Sequence, residues 1–144
     1  MSYWDTSALV KLSVAEADSA QFQQLAGRAA RIVTAAIARF EARTVFRRRE
    51  AEGALPVGEA AVLSADMDRD VANGRVVIQA TDAAVERDFA KVLETCFSQS
   101  PPVFIRTNDA LHIASAIAAG EAEFVTTDIR QRAAARLMGL TVQP

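Results

Sequence analysis

Phe124-Val125-Thr126-Thr127-Asp128 is a short β-branched and aromatic run that ends in an acid and leads into a helical stretch. Ser2-Tyr3-Trp4-Asp5-Thr6-Ser7 repeats the arrangement at the other end of the chain. A strand followed directly by a helix is the unit of a parallel sheet, because parallel neighbours need crossover connections. Further strand signals lie at Arg31–Thr34, Arg75–Gln79 and Thr141–Val142, beside those at Ser2–Trp4 and Phe124–Thr127. Helical patterns fill the intervals at about 7 to 13, 16 to 28, 35 to 52, 57 to 72, 82 to 98, 107 to 119 and 129 to 138. Local signals mark several ends: Pro56 fits a first helical turn, Asn73-Gly74, Gly120 and Gly139 close helices, and Thr81 or Asp82 can cap one. Pro101-Pro102 separates the fifth helix from the sixth. The alternation predicts an α/β fold, a three-layer α/β/α sandwich around a mostly parallel five-stranded sheet.

The chain has 144 residues, 51% hydrophobic and 24% charged, which predicts a single domain over 1–144 with one core. No internal repeat or low-complexity tract divides it. The longest apolar stretches, such as Ala110–Ala119, carry His112 and Ser115 and are too short for a membrane span. The N-terminus opens straight into a strand-like run with an acid at position 5, so a cytoplasmic protein is expected. Cys96 is the only cysteine, and its neighbours Val92, Leu93 and Phe97 suggest a buried apolar side chain rather than a nucleophile. The net charge of −2 gives no overall attraction for polyanions, so any nucleic-acid contact needs a local basic patch. Arg39, Arg43 and Arg47, spaced by four with Arg48 and Arg49 beside them, form either a solvated helix face or a phosphate-contacting surface.

Asp5 and Asp128 each follow a strand, so both belong at the carboxyl rim of the sheet, where open parallel sheets bind ligands. Either residue taken alone is equally a helix cap. Glu41 falls on an apolar stripe expected through Ile37, Phe40, Thr44 and Val45, which aims its carboxylate at the core or a cleft. A carboxylate so placed needs a cation or strong donors. Asp109 starts the helix 107 to 119, whose small residues Ala110, Ala114, Ser115 and Ala118 permit close approach to the sheet. Carboxylates gathered together repel unless a divalent ion joins them, and oxygen ligands without a Cys or His pair point to Mg²⁺ or Mn²⁺. Such a cation activates water and neutralises a phosphodiester.

These residues resemble the motifs of the PIN-domain ribonucleases. The run Tyr3 to Leu12 is similar to the family's opening; Glu41 with its Arg-rich turn, Asn108 to Ala116, and Phe124 to Asp128 follow in order across nearly the whole chain. The likeness is greatest to VapC-type toxins of toxin-antitoxin pairs. The resemblance implies a five-stranded parallel sheet between helices, Mg²⁺- or Mn²⁺-dependent RNA cleavage leaving a 5′ phosphate, a cognate antitoxin, and often a homodimer. It assigns Asp5, Glu41, Asp109 and Asp128 to the acidic positions, and Thr6 and Thr126 to supporting hydroxyls. Ile129 to Arg132 carries no further acid, which some members have there.

Other features read as structure. Asp66, Asp68 and Asp70 mimic the start of a calcium loop, but Val71 and Val77 occupy positions that need Gly and Glu, so they mark a helix surface. His112, the only histidine, is expected in a satisfied hydrogen-bonding role near the core, Lys11 is expected to be exposed, and Tyr3 and Trp4 read as strand packing. The helices 16 to 28 and 35 to 52 offer an apolar dimer face. Two readings rival the nuclease. One is a non-catalytic PIN-like module that binds nucleic acid or protein. The other is a doubly wound phosphatase or phosphotransfer domain, but no second acid lies beside Asp5, no Lys follows Lys91, and no phosphate-cradling P-loop occurs. Nothing in the residues reads a 2′-hydroxyl, so a DNA substrate is chemically open as well.

Overall fold

The computed structural model describes residues 1–144. The elements are β1 (Ser2–Trp4), α1 (Thr6–Ser13), α2 (Ser19–Arg28), β2 (Ile32–Ala35), α3 (Ala38–Ala51), α4 (Glu59–Ala72), β3 (Val76–Gln79), α5 (Ala83–Phe97), α6 (Thr107–Ala118), β4 (Glu123–Val125), α7 (Ile129–Leu137) and β5 (Thr141–Gln143). All five strands are parallel, in the order β3-β2-β1-β4-β5. The expected α/β/α sandwich is therefore present, with β1 in the middle.

Alternation along the strands builds the layers. Tyr3, Val33 and Phe124 are aligned across β1, β2 and β4 and face α5, α6 and α7, packing with Val85, Val92, Ile113 and Ala134. Trp4, Ile32 and Val125 face the other way, against Ala8, Leu9, Phe22 and Ala38 from α1, α2 and α3. A third apolar cluster, Val10, Val14, Ala42, Phe46, Ala60 and Leu63, ties α1, α3 and α4 together beyond the sheet. Ala110, Ala114 and Ala116 are fully buried, so α6 does lie close against the sheet as its small residues predict. No helix is long and apolar enough to cross a membrane.

Local differences from the sequence reading have local causes. The helix expected from 16 begins at Ser19, because the Ser19 hydroxyl accepts from the Glu16 N–H at 2.9 Å and donates to the Val14 carbonyl at 3.0 Å, shaping a turn first. The helix expected from 35 begins at Ala38, because Ala35 still pairs with Gln79 in the sheet. Pro56 lies ahead of α4 rather than in its first turn; its carbonyl accepts from the Glu59 N–H, and Gly58 at φ 91° sets the entry. Asp82, and not Thr81, caps α5, accepting from the Ala84 and Val85 N–H groups.

Order β3-β2-β1-β4-β5 means that the chain winds outward in one direction from β1, then returns to build the other half from β4. A crevice opens beyond the carboxyl ends of β1 and β4, where the winding reverses. Tyr3 braces this centre: its ring stacks on Phe124 at 5.2 Å, while its hydroxyl accepts from the Ala35 N–H at 3.0 Å and lies 2.8 Å from His112 Nδ1. Tyr3→Phe would orphan a fully buried N–H and one imidazole nitrogen. The expected cost is about 1–3 kcal/mol in urea unfolding, with the fold retained; an unchanged midpoint would show that the hydroxyl is dispensable.

Candidate active site

Four elements carry the four acids to this crevice. Asp5 is the N-cap of α1 and Asp128 the N-cap of α7, while Glu41 and Asp109 lie in the first turns of α3 and α6. All four line one open cleft of about 800 Å³, together with Thr6, Ser7, Arg106, Asn108, His112 and Gln131.

Asp5 is the most enclosed. Its N–H extends the β1–β4 ladder by donating to the Val125 carbonyl at 3.1 Å, which fixes the residue at the strand end. Its carboxylate accepts from the Ala8 N–H at 2.9 Å, from the Ser7 hydroxyl at 2.8 and 2.9 Å, and from the Thr126 hydroxyl at 2.7 Å. Ser7 also accepts from the Thr127 N–H at 3.1 Å, so one hydroxyl ties the loop after β1 to the loop after β4. Thr126 in turn accepts from the Asp128 N–H and lies 2.7 Å from Gln131 Oε1. Asp5 has no cation within ion-pair distance, and burial pushes its carboxyl above the usual range against the pull of His112 and these donors.

Glu41 is held differently. The buried face of α3 runs through Ala38, Ala42 and Phe46; of the stripe expected at 37, 40, 44 and 45, Ile37 and Val45 pack against the core at its margin, whereas Phe40 is 68% exposed and Thr44 is exposed. Glu41 therefore stands at the margin of the packed face and points into the cleft. Its carboxylate receives the Thr6 hydroxyl, His112 Nε2 at 2.8 Å and Asn108 Nδ2 at 2.9 Å. Burial raises its pKa, but His112, Thr6 and Asn108 together outweigh burial and hold it below the usual carboxylate range. A carboxylate only accepts, so Nε2 carries a hydrogen, and in the neutral ring Nδ1 accepts from the Tyr3 hydroxyl. His112 thus links Glu41 to the strand framework, as its expected near-core role implies.

Asp109 and Asp128 share a guanidinium. Arg106 donates through Nε to Asp109 at 2.7 Å and through Nη2 to Asp128 at 2.8 Å. As the side chains stand, no three acids converge at metal-ligand distance, because Arg106 engages two of them and His112, Thr6 and Asn108 engage the third. The donor set still suits a hard divalent cation: it consists of carboxylate oxygens, it includes a buried acid lacking a cationic partner, and one cation already sits between two of its members. Asp5, Asp109 and Asp128 are the residues that would hold such an ion.

Arg106, Asn108, Ser7 and Gln131 are not among the site residues expected from sequence, although Ser7 and Asn108 stand inside the motif runs and Arg106 has an i,i+3 spacing to Asp109. Lys11 corrects the expectation of an exposed lysine, since its side chain is 14% exposed between Glu16 and Asp18. The arginine cluster of α3 is mostly committed to ion pairs: Arg39 and Arg43 bind Asp68, Arg47 binds Glu50, and Arg49 binds Glu16. Asp66, Asp68 and Asp70 do form a helix surface on α4. Cys96 is fully buried, and burial pushes its thiol up.

The fold has counterparts among solved structures. VapBC2 from Rickettsia felis, solved bound to a DNA fragment of its promoter, superposes with a TM-score of 0.68 at 19% identity, over 99% of this chain and 98% of that one. VapC20 of Mycobacterium tuberculosis, a toxin that cleaves the sarcin-ricin loop, gives 0.69 at 20% identity, over 93% and 95%. FitAcB from Neisseria gonorrhoeae gives 0.69 at 16% identity, over 100% and 97%. At such identities the likeness concerns the fold. No curated protein matches the sequence. The PIN domain family model, however, matches residues 2–137, and the chain belongs to the PIN domain family.

Proposed function

We propose that the chain is a divalent-metal-dependent endoribonuclease, the toxin of a toxin-antitoxin pair. The observation that carries the reading is the meeting of Asp5, Glu41, Asp109 and Asp128, from four separate elements, in one cleft at the winding reversal of a PIN domain. Similarity to VapBC2, VapC20 and FitAcB supports the toxin class and a cognate antitoxin as partner. RNA as substrate and a homodimeric assembly come from the same resemblance. For the dimer, α2 exposes Gln21, Gln23 and Gln24 rather than an apolar face.

Bound Mg²⁺ or Mn²⁺ would supply an activated water and neutralise charge on the phosphodiester. The chain's own residues prepare the rest. Ser7, Thr126 and the Ala8 N–H orient the Asp5 carboxylate and keep its lone pairs directed at fixed points. Glu41, held ionised by His112, Thr6 and Asn108, accepts a hydrogen bond from the attacking water and aligns it. Water oxygen then bonds to phosphorus as the bond to the 3′ oxygen breaks; the water's proton passes to Glu41 and on to solvent, and the departing 3′ oxygen takes a proton from solvent, leaving a 5′ phosphate and a 3′ hydroxyl. A non-catalytic binding role for the same fold gives no use to a buried Asp5 that neutral donors partner without any cation in ion-pair reach, which favours the enzyme.

Purified protein should cleave RNA in Mg²⁺ or Mn²⁺, stop in EDTA and resume on metal addition, while Asp5→Asn and Asp109→Asn lose at least about a hundredfold in rate and stay folded. Undiminished cleavage by both variants would remove these acids from the mechanism.

Asp5 also gives a pH signature. Its folded pKa is raised, so its contribution to stability is greatest below the unfolded value and is lost as pH rises through the carboxylate range. Metal-free Asp5→Asn should therefore unfold at the same or a higher temperature than wild type at pH 7, the difference closing as the pH approaches about 4. A clearly lower midpoint at pH 7 would contradict the desolvation argument.

Arg106 competes with any cation for Asp109 and Asp128. Arg106→Gln should tighten Mn²⁺ binding in calorimetry by about two- to tenfold, the scale of exposed ion pairs. Weaker binding would mean that Arg106 instead preorganises the acids.

A further inference from the structure

The outer face of α3 carries two features that neither the fold nor the four acids explain. Phe40 is 68% exposed although it is one of only seven phenylalanines and directly precedes Glu41. The core of α3 is already supplied by Ala38, Ala42 and Phe46, and the Phe40 residue stands mostly in solvent. Arg48 is exposed and has no carboxylate within ion-pair distance, whereas Arg39, Arg43, Arg47 and Arg49 on the same helix all do. Both residues line the acid-bearing cleft, with Thr44 between them. The spacing 40, 44, 48 sets them on one side of the helix, about 12 Å apart along its axis.

An exposed aromatic face beside a reacting centre, followed by an uncommitted guanidinium two turns away, is the pairing that single-stranded nucleic acid requires. A base offers a π-face to the ring and the backbone offers a phosphate to the cation, without any demand on sequence. Paired bases do not present such faces, so an unpaired segment fits and a duplex does not. Charge points the same way. The chain carries a net −2, the cleft holds five acids, and Lys11, Arg49 and Arg106 are all engaged by carboxylates. Arg48 is thus the cleft-lining cation left to attract a phosphate. The Thr44 hydroxyl is spent on the Phe40 carbonyl at 2.9 Å, which leaves Phe40 and Arg48 as the two contacts.

We propose that Phe40 and Arg48 form a track for the unpaired RNA that flanks the scissile phosphate, Phe40 stacking one base and Arg48 gripping a phosphate further along. The track rests on the nuclease reading given above and adds the residues that position the substrate. It makes cleavage selective for unpaired segments, because a duplex cannot lay a base on Phe40.

The test is fluorescence anisotropy with an end-labelled, unstructured RNA of about twelve nucleotides in Mg²⁺. The full chain carries Asp5→Asn so that the RNA stays intact, alone or with Phe40→Ala, Phe40→Tyr or Arg48→Gln added. Phe40→Ala should weaken binding about 5- to 100-fold and Phe40→Tyr should restore it. Arg48→Gln should weaken binding and flatten the dependence of log affinity on log salt by about 0.7. Phe40 and Arg48 are exposed, and unfolding midpoints of their variants that match the Asp5→Asn chain exclude a folding defect. Equal affinity and equal salt slope in every chain overturn the track while leaving cleavage by wild type, and so the nuclease reading, intact. No RNA binding by the Asp5→Asn chain together with no cleavage by wild type overturns both. Loss of self-association by Phe40→Ala at unchanged RNA affinity also overturns the track and assigns this face to a protein contact.

Discussion

Asp5 donates its N–H to Val125 across the β1–β4 ladder and buries its carboxylate under Ser7, Thr126 and the Ala8 N–H. That one residue belongs at once to the sheet, to the first turn of α1 and to the loop after β4. Its position is therefore as rigid as the strand pairing itself. A carboxylate at 4% exposure without a cationic partner is an unfinished electrostatic arrangement: three neutral donors soften the desolvation without removing it. The surrounding cleft is built around this deficit, with Asp109, Asp128 and Glu41 brought to the same opening by helix starts whose dipoles favour anions.

The other acids are partnered in ways that distinguish them. Asp109, itself buried, and the partly exposed Asp128 share Arg106, whose side chain is 63% exposed. Glu41 faces His112, itself clamped by Tyr3 to the backbone of β2. The cleft thus contains an exchangeable half and a fixed half. An arriving ion meets a guanidinium that can leave on the Asp109–Asp128 side, and a hydrogen-bond chain that cannot shift without disturbing the core on the Glu41 side. This division fits an assignment in which the aspartates bind and the glutamate aligns.

Much of this was readable from residue order. Strand-to-acid-to-helix transitions at Asp5 and Asp128 give their place at the carboxyl rim, because a parallel sheet leaves an acid after a strand nowhere else to go. The helix ends at Gly74, Gly120 and Gly139 follow likewise, each glycine having positive φ. What sequence could not resolve was rotation and partnership. On α3, alanine is too weakly apolar for Ala38 and Ala42 to outweigh Phe40 in a hydrophobic pattern, so the pattern draws its stripe through Phe40, although the buried face lies one position away. Partnership failed for a related reason: Lys11 is covered by Glu16 and Asp18 in a turn shaped by Ser19, and Arg106 reaches Asp128 across 22 residues of chain, a pairing that no local spacing encodes.

The central claim is that these acids share a divalent ion. The single imidazole of the chain, at His112, lies 2.8 Å from Glu41 and reports on that ion through its own NMR signals. Titration with Mn²⁺ should broaden the His112 ring resonances at low metal-to-protein ratio, with recovery on EDTA addition and little effect in Asp109→Asn. Ring signals that stay sharp while Mn²⁺ relaxes residues elsewhere would place the metal outside the cleft and contradict the account.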